Sequence, residues 1–192
     1  MATRAAELDG QDRAVPEAST LVSNMNVSQL EKVLVGALSL VLAQDKEPSG
    51  LDISQAAGRV LRAGVAVGLL EGDDWKRHIL WVDDHPDNNR HERTAFESFD
   101  IEFTLATSTS QAMALLSHRR YGAIISDMGR AEGPEEGFAL LNQLRANDQA
   151  TPFFLYTGPA AREYQLEAAA RGAQGVTADP SELVDMVTKA LR

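Results

Sequence analysis

The chain has 192 residues, enough for one full domain and an additional element, and its 44% apolar and 24% charged residues suit a packed core. A net charge of −10 argues against general binding to nucleic-acid backbones or anionic membrane. The absence of cysteine excludes disulfides, thiol catalysis and thiolate metal sites, and fits a cytoplasmic location. The longest apolar stretch, Val33 to Ala43, is too short to span a bilayer. It also lies too far from the N-terminus, behind too acidic a leader, for a signal peptide.

In chain order, residues 1–25 are polar, alanine-rich and aperiodic, which predicts a mostly disordered leader. Ser28-Gln29-Leu30-Glu31 matches a capping box and predicts a helix from Ser28 to Gln44. Glu47-Pro48-Ser49-Gly50 breaks it. Asp52, with Gln55 three residues on, predicts a second helix over about Ser54–Leu70. Gly64 and Gly68 stand one turn apart there, a spacing that permits close helix approach. Residues 26–72 therefore form a helical hairpin too apolar to stand alone. It must pack on the rest of the chain or on a partner. Glu71-Gly72-Asp73-Asp74 reads as a linker.

Beyond it the pattern alternates. His78–Val82, Ile101–Ala106, Gly122–Ser126, Pro152–Tyr156 and Gly175–Thr177 read as strands, each followed by a helical segment. The helices are expected near Asn88–Ser98, Ser110–Arg119, Glu135–Asn147, Ala160–Arg171 and Ser181–Leu191. Such alternation implies right-handed crossovers and a parallel sheet covered on both faces. Ile101–Ala106 alternates apolar and polar residues, as an edge strand does. A parallel sheet gathers the carboxyl ends of its strands at one edge, where ligands bind. That edge would hold Asp83 and Asp84, Asp127, and Thr157.

These features, with Gly172-Ala173 before the fifth strand and Pro180 after it, occur in an order that resembles the receiver domain of bacterial response regulators. The resemblance covers residues 75–192. It implies an α/β, doubly wound, flavodoxin-like sheet of five parallel strands in the order 2-1-3-4-5. It further implies that Asp127 is the phosphoacceptor and Thr157 the switch residue. Asp83, Asp84, Asp127 and the backbone carbonyl of Met128 would hold Mg²⁺, a hard cation suited to oxygen donors. The expected partners are a histidine kinase or phosphotransfer protein and a downstream protein, reached through the last two helices and strand five, with a homodimer through the N-terminal helices as a further possibility. The chain is expected to be a signalling switch, not an enzyme.

The departures from that pattern point to an alternative, a pseudo-receiver acting as an adaptor or scaffold without phosphorylation. The family's lysine before the proline is here Asp179, and its aromatic switch position is Val176. The loop after Asp127 is about two residues longer than usual. Arg130 in that loop is either a replacement cation or, on the commoner pattern for loop arginines, a solvated charge. His85 and the Pro86-Asp87-Asn88-Asn89 run read most simply as a turn and cap. Trp81 and Tyr156 read as core residues. A hydrolase using an aspartyl-phosphate intermediate is a third, weaker reading, because nothing in the sequence reads as a cap domain or as a lysine at position 179. The sequence carries no glycine-rich phosphate loop, no Ser-His-Asp arrangement and no basic aromatic stripe.

Overall fold

The structure, a computed structural model, describes residues 25–44, 49–68, 74–158 and 161–192. The predicted leader and most of the linker lie outside them. Two helices come first, α1 (Val27–Leu42) and α2 (Gly50–Gly68). Five strands follow: β1 (His78–Val82), β2 (Glu102–Ala106), β3 (Ala123–Ser126), β4 (Phe153–Tyr156) and β5 (Gly175–Thr177). Between and after them lie α3 (Arg90–Glu97), α4 (Thr109–His118), α5 (Glu136–Arg145), α6 (Ala161–Ala170) and α7 (Pro180–Ala190). All neighbouring strands pair in parallel, in the order β2-β1-β3-β4-β5. This is the predicted doubly wound sheet. Among the described residues, no helix is long and apolar enough to cross a membrane.

The sheet divides the core in two because successive side chains point to opposite faces. Ile79, Trp81, Ile125 and Phe154 face α3, α7 and the hairpin. Leu80, Val82, Ile124, Phe153 and Leu155 face α4, α5 and α6. Each large apolar side chain buried this way contributes roughly 1.5–3 kcal/mol. β2 is an edge strand, as predicted, but its alternation fades. Ile101 is buried and Phe103 half-buried, whereas Leu105 is exposed.

The hairpin begins differently from the sequence expectation. The capping box of α1 is Asn26 with Gln29, two residues earlier than Ser28 with Glu31. That of α2 is Ser49 with Asp52, so Asp52 is its third helical residue and not its cap. In both cases an equally good cap stood upstream of the one read. The hairpin packs on the chain itself. α1 lies along α3, and α2 along α7. Gly36 makes the closest approach: a Cβ there would meet Ser98 Oγ at 2.2 Å and Val60 Cγ1 at 3.0 Å. Gly64 faces Phe99 of the same chain. α1 nevertheless keeps an exposed apolar stripe of Val27, Leu34, Leu38 and Leu42.

Candidate functional site

Strand register brings the predicted residues together. Val82 pairs with Ser126, and Ser126 with Leu155. One step further, Asp83 and Asp127 leave adjacent strands side by side, and Thr157 follows one residue later at the end of β4. Their backbones stay anchored: the Asp83 amide donates to Ala106 O, that of Asp127 to Val82 O, and that of Thr157 to Thr177 O. Asp83, Asp84, Asp127 and Thr157 all line one open pocket of about 430 Å³.

Each carboxylate is held in place. Asp83 accepts the His85 amide at 2.7 Å and the side-chain amide of Asn89. Asp84 accepts the Ala131 amide at 2.7 Å and lies 3.1 Å from His85 Nδ1. Asp127 Oδ1 accepts the Met128 amide at 2.7 Å, and Oδ2 has no hydrogen bond among the described residues. Ligand atoms of Asp83, Asp84 and His85 fall within 4.8 Å of one another, close enough to share an ion. The Met128 carbonyl accepts the Gly137 amide at 2.9 Å and keeps a second lone pair. His85 thus sits in the expected turn but also lines the site, and Asn89 orients Asp83 instead of capping α3.

Burial pushes the Asp127 carboxyl up from its ordinary value, as do the charges of Asp83 and Asp84, against the opposing Met128 amide and Arg130. Burial acts the same way on Asp84, but the Ala131 amide and His85 outweigh it and hold that carboxyl low. The two acids are therefore set apart. Of the two, Asp84 is the firmer anion, and Asp127 is the one whose charge burial and its acidic neighbours disfavour.

The long loop after β3 explains itself in three dimensions. Arg130 and Gly133 close a tight turn through reciprocal backbone bonds of 2.9 Å. That turn carries the Ala131 amide onto Asp84 and drives Arg130 inward. The expectation of a solvated arginine is wrong: the Arg130 side chain has no exposure. Its guanidinium donates to Ser126 Oγ and Asp127 O, each at 2.8 Å, and to Thr109 Oγ1 at 2.6 Å and Glu136 O at 2.9 Å. Glu132 and Glu136 lie 3.6 and 3.9 Å from it. Nor is it a free replacement for the lysine, because its terminal nitrogens are committed to two hydroxyls and two carbonyls.

Asp179 does not point its charge at the acids as its position suggests. Its carboxylate caps α7, accepting the amides of Ser181 at 2.7 Å and Glu182 at 3.0 Å. Two residues that the sequence reading missed or misassigned occupy the pocket. Glu92, on α3, is only 5% exposed and lines it. Tyr156 lines it too, and its hydroxyl donates to Glu92 Oε1 at 2.8 Å, so it is more than a core residue. Trp81 is core, as expected.

The family profile described as the response regulator receiver domain matches residues 79–190. The chain belongs to this family. No curated protein matches it. The Francisella response regulator 1452 receiver domain is 23% identical over 59% of this chain and 95% of its own, with a TM-score of 0.52. The chemotaxis response regulator CheY4 of Vibrio cholerae is 24% identical over 59% and 97%, with a TM-score of 0.50. A sensor protein from Polaromonas sp. JS666 is 21% identical over 59% and 94%, with a TM-score of 0.53. At these identities the solved structures show the receiver fold. The hairpin precedes the matched residues, so this receiver carries an N-terminal helical element of its own.

Proposed function

We propose that this receiver takes a phosphoryl group on Asp127 from a histidine kinase or phosphotransfer protein and changes its protein contacts in response. The observation that carries the proposal is the convergence of Asp83, Asp84, Asp127 and Thr157 on one pocket. Asp127 Oδ2 is the attacking atom. Its bond to phosphorus forms as the phosphorus–nitrogen bond of the donor's phosphohistidine breaks, and the imidazole leaves. The all-oxygen donor set fits Mg²⁺, held by Asp83, Asp84, Asp127 and the Met128 carbonyl; the ion would neutralise charge on the transferring group. Thr157 offers a hydroxyl to a phosphoryl oxygen. The chain is then a switch and not a turnover enzyme.

The output face in this proposal is α6, β5 and α7, with a kinase or phosphotransfer protein at the pocket. Leu166 on α6 is 88% exposed and is suited to partner contact. The apolar stripe of α1 supports a homodimer in which two hairpins form a four-helix layer. Replacing Leu34 and Leu38 with glutamate in the full chain should halve the mass seen by light scattering. An unchanged mass rules out that dimer.

A second reading has its own support. Position 179 brings no cation to the pocket, both terminal nitrogens of Arg130 are engaged, and Val176 is buried with no ring to rotate. These favour a pseudo-receiver that binds partners independently of phosphate. Intact mass after incubation with Mg²⁺ and a small phosphodonor separates the two. A labile gain of one phosphoryl group, absent in Asp127→Asn, is the outcome for a working receiver. No gain under conditions that label an ordinary receiver selects the scaffold.

A further inference from the structure

The hairpin does not seat flush on the receiver. Between α1, α2 and the end of α3 it leaves a pocket of about 500 Å³, within the range of small-molecule sites. Val33, Val60, Leu61, Val65 and Phe99 give it apolar walls, and Gly64, facing Phe99, adds no side chain to fill it. The pocket lies at the sheet edge opposite Asp127: Arg77, which lines it, leads into β1, and Asp100 precedes β2.

Among the described residues, the charged side chains that line it are Lys32, Arg77 and Asp100. Lys32 pairs with Asp100 at 2.7 Å. Arg77 has neither hydrogen bond nor ion pair among the described residues. Its Nε is sealed from solvent without an acceptor, while the two terminal nitrogens keep accessible surface. The other polar side chains there, Asn26, Ser28, Gln29 and Ser98, are uncharged. The pocket is thus left with one positive charge over. A guanidinium beside apolar walls, given no carboxylate by its own chain, is a preformed receptor for one, because its forked donors match two carboxylate oxygens.

We propose that this pocket binds a small amphipathic monocarboxylate, its apolar body along α1, α2 and Phe99 and its carboxylate on the terminal nitrogens of Arg77. One negative charge cancels the one left over. A neutral ligand would leave Arg77 as unmatched as before. Because the walls come from α1, α2 and the end of α3, a bound molecule ties the hairpin to the receiver body. The hairpin then carries a second input, separate from any chemistry at Asp127.

The test is isothermal titration calorimetry of the full chain with octanoate, 4-phenylbutyrate and neutral octanol, for the unaltered protein, Arg77→Gln and Gly64→Leu. The expected result is one carboxylate bound per chain, with octanol far weaker than octanoate. Arg77→Gln should weaken octanoate at least about tenfold, the scale of one lost hydrogen bond to a charged group. Gly64→Leu, which fills the cavity, should abolish binding. With octanoate present, hydrogen exchange should slow in α1 and α2. The site is overturned if neither carboxylate binds the unaltered protein, or if Arg77→Gln or octanol shows the affinity of the unaltered protein for octanoate. Slowed exchange confined to the strand ends around Asp127 puts the ligand in the other pocket and also overturns it. Arg77 is part-exposed, so Arg77→Gln decides the matter even where Gly64→Leu does not fold.

Discussion

Arg130 carries a positive charge into the interior and directs it at the oxygens that shape the loop behind Asp127. Arg130→Met would remove the donors to Ser126 Oγ, Asp127 O, Thr109 Oγ1 and Glu136 O. The expected loss is about 1–3 kcal/mol, the cost of leaving buried acceptors without a donor, measured by urea denaturation. Asp179 is a milder case. Asp179→Ala removes the cap of α7 and should cost about 1 kcal/mol while leaving Mg²⁺ binding unchanged. Glu92 makes a prediction about pH. Burial, partly offset by the Tyr156 hydroxyl, raises its carboxyl above the ordinary value, so the folded state takes up this proton more readily than the unfolded chain. Glu92 therefore lowers stability progressively as pH rises from the ordinary glutamate range through its raised value. In chelator, Glu92→Gln should melt above the unaltered protein at neutral pH, and the gap should close in acid. A constant gap contradicts that assignment. Arg130, Glu92 and Tyr156 were the residues least legible in the sequence. Each sits where local pattern suggests loop, helix surface or core, and each owes its role to a neighbour 21 to 64 residues away.

At the scale of elements, strand ends were the most legible feature. A run buried on both faces has no alternation to confuse it, and the acid that ends it marks the sheet edge, as at Val82-Asp83 and Ser126-Asp127. Helix starts were less legible. Asn26 and Ser49 cap helices read as beginning at Ser28 and Ser54, because polar residues able to cap cluster at both ends. The docking of the hairpin could not be read at all. It depends on Gly36 meeting Ser98, residues with no sequence relation. Ser98 Oγ is itself fixed on Ala95 O at 2.6 Å and cannot easily turn away. Gly36→Ala should therefore push α1 away from Ser98 at the end of α3 and from Val60 of α2. Hydrogen exchange should quicken in both hairpin helices while the β1 and β3 amides keep their protection; equal loss throughout would mean that the hairpin and sheet unfold as one unit. Gly137 has a comparable role at the site. A Cβ there would lie 2.6 Å from Leu155 Cδ2 and 2.9 Å from Asp127 O, so glycine lets α5 begin directly against the end of β3.

For the whole molecule, the sheet order was deducible because five short units leave few ways to cross over. What the hairpin adds was not, since its own apolar faces are equally compatible with covering the sheet's helices and with pairing two chains. It does the first and leaves an apolar stripe of α1 exposed. One further consequence follows from Trp81. Its indole is 1% exposed and stands edge-on to Tyr156 at 5.9 Å, the same tyrosine that touches Glu92. On the other side it meets Phe103 at 5.6 Å, which meets Phe96, which meets Phe99 under the hairpin. The protein thus has a built-in optical reporter with the pocket on one side and the hairpin on the other, so its emission colour and lifetime can register, without any added dye, what occupies the one and what shifts in the other.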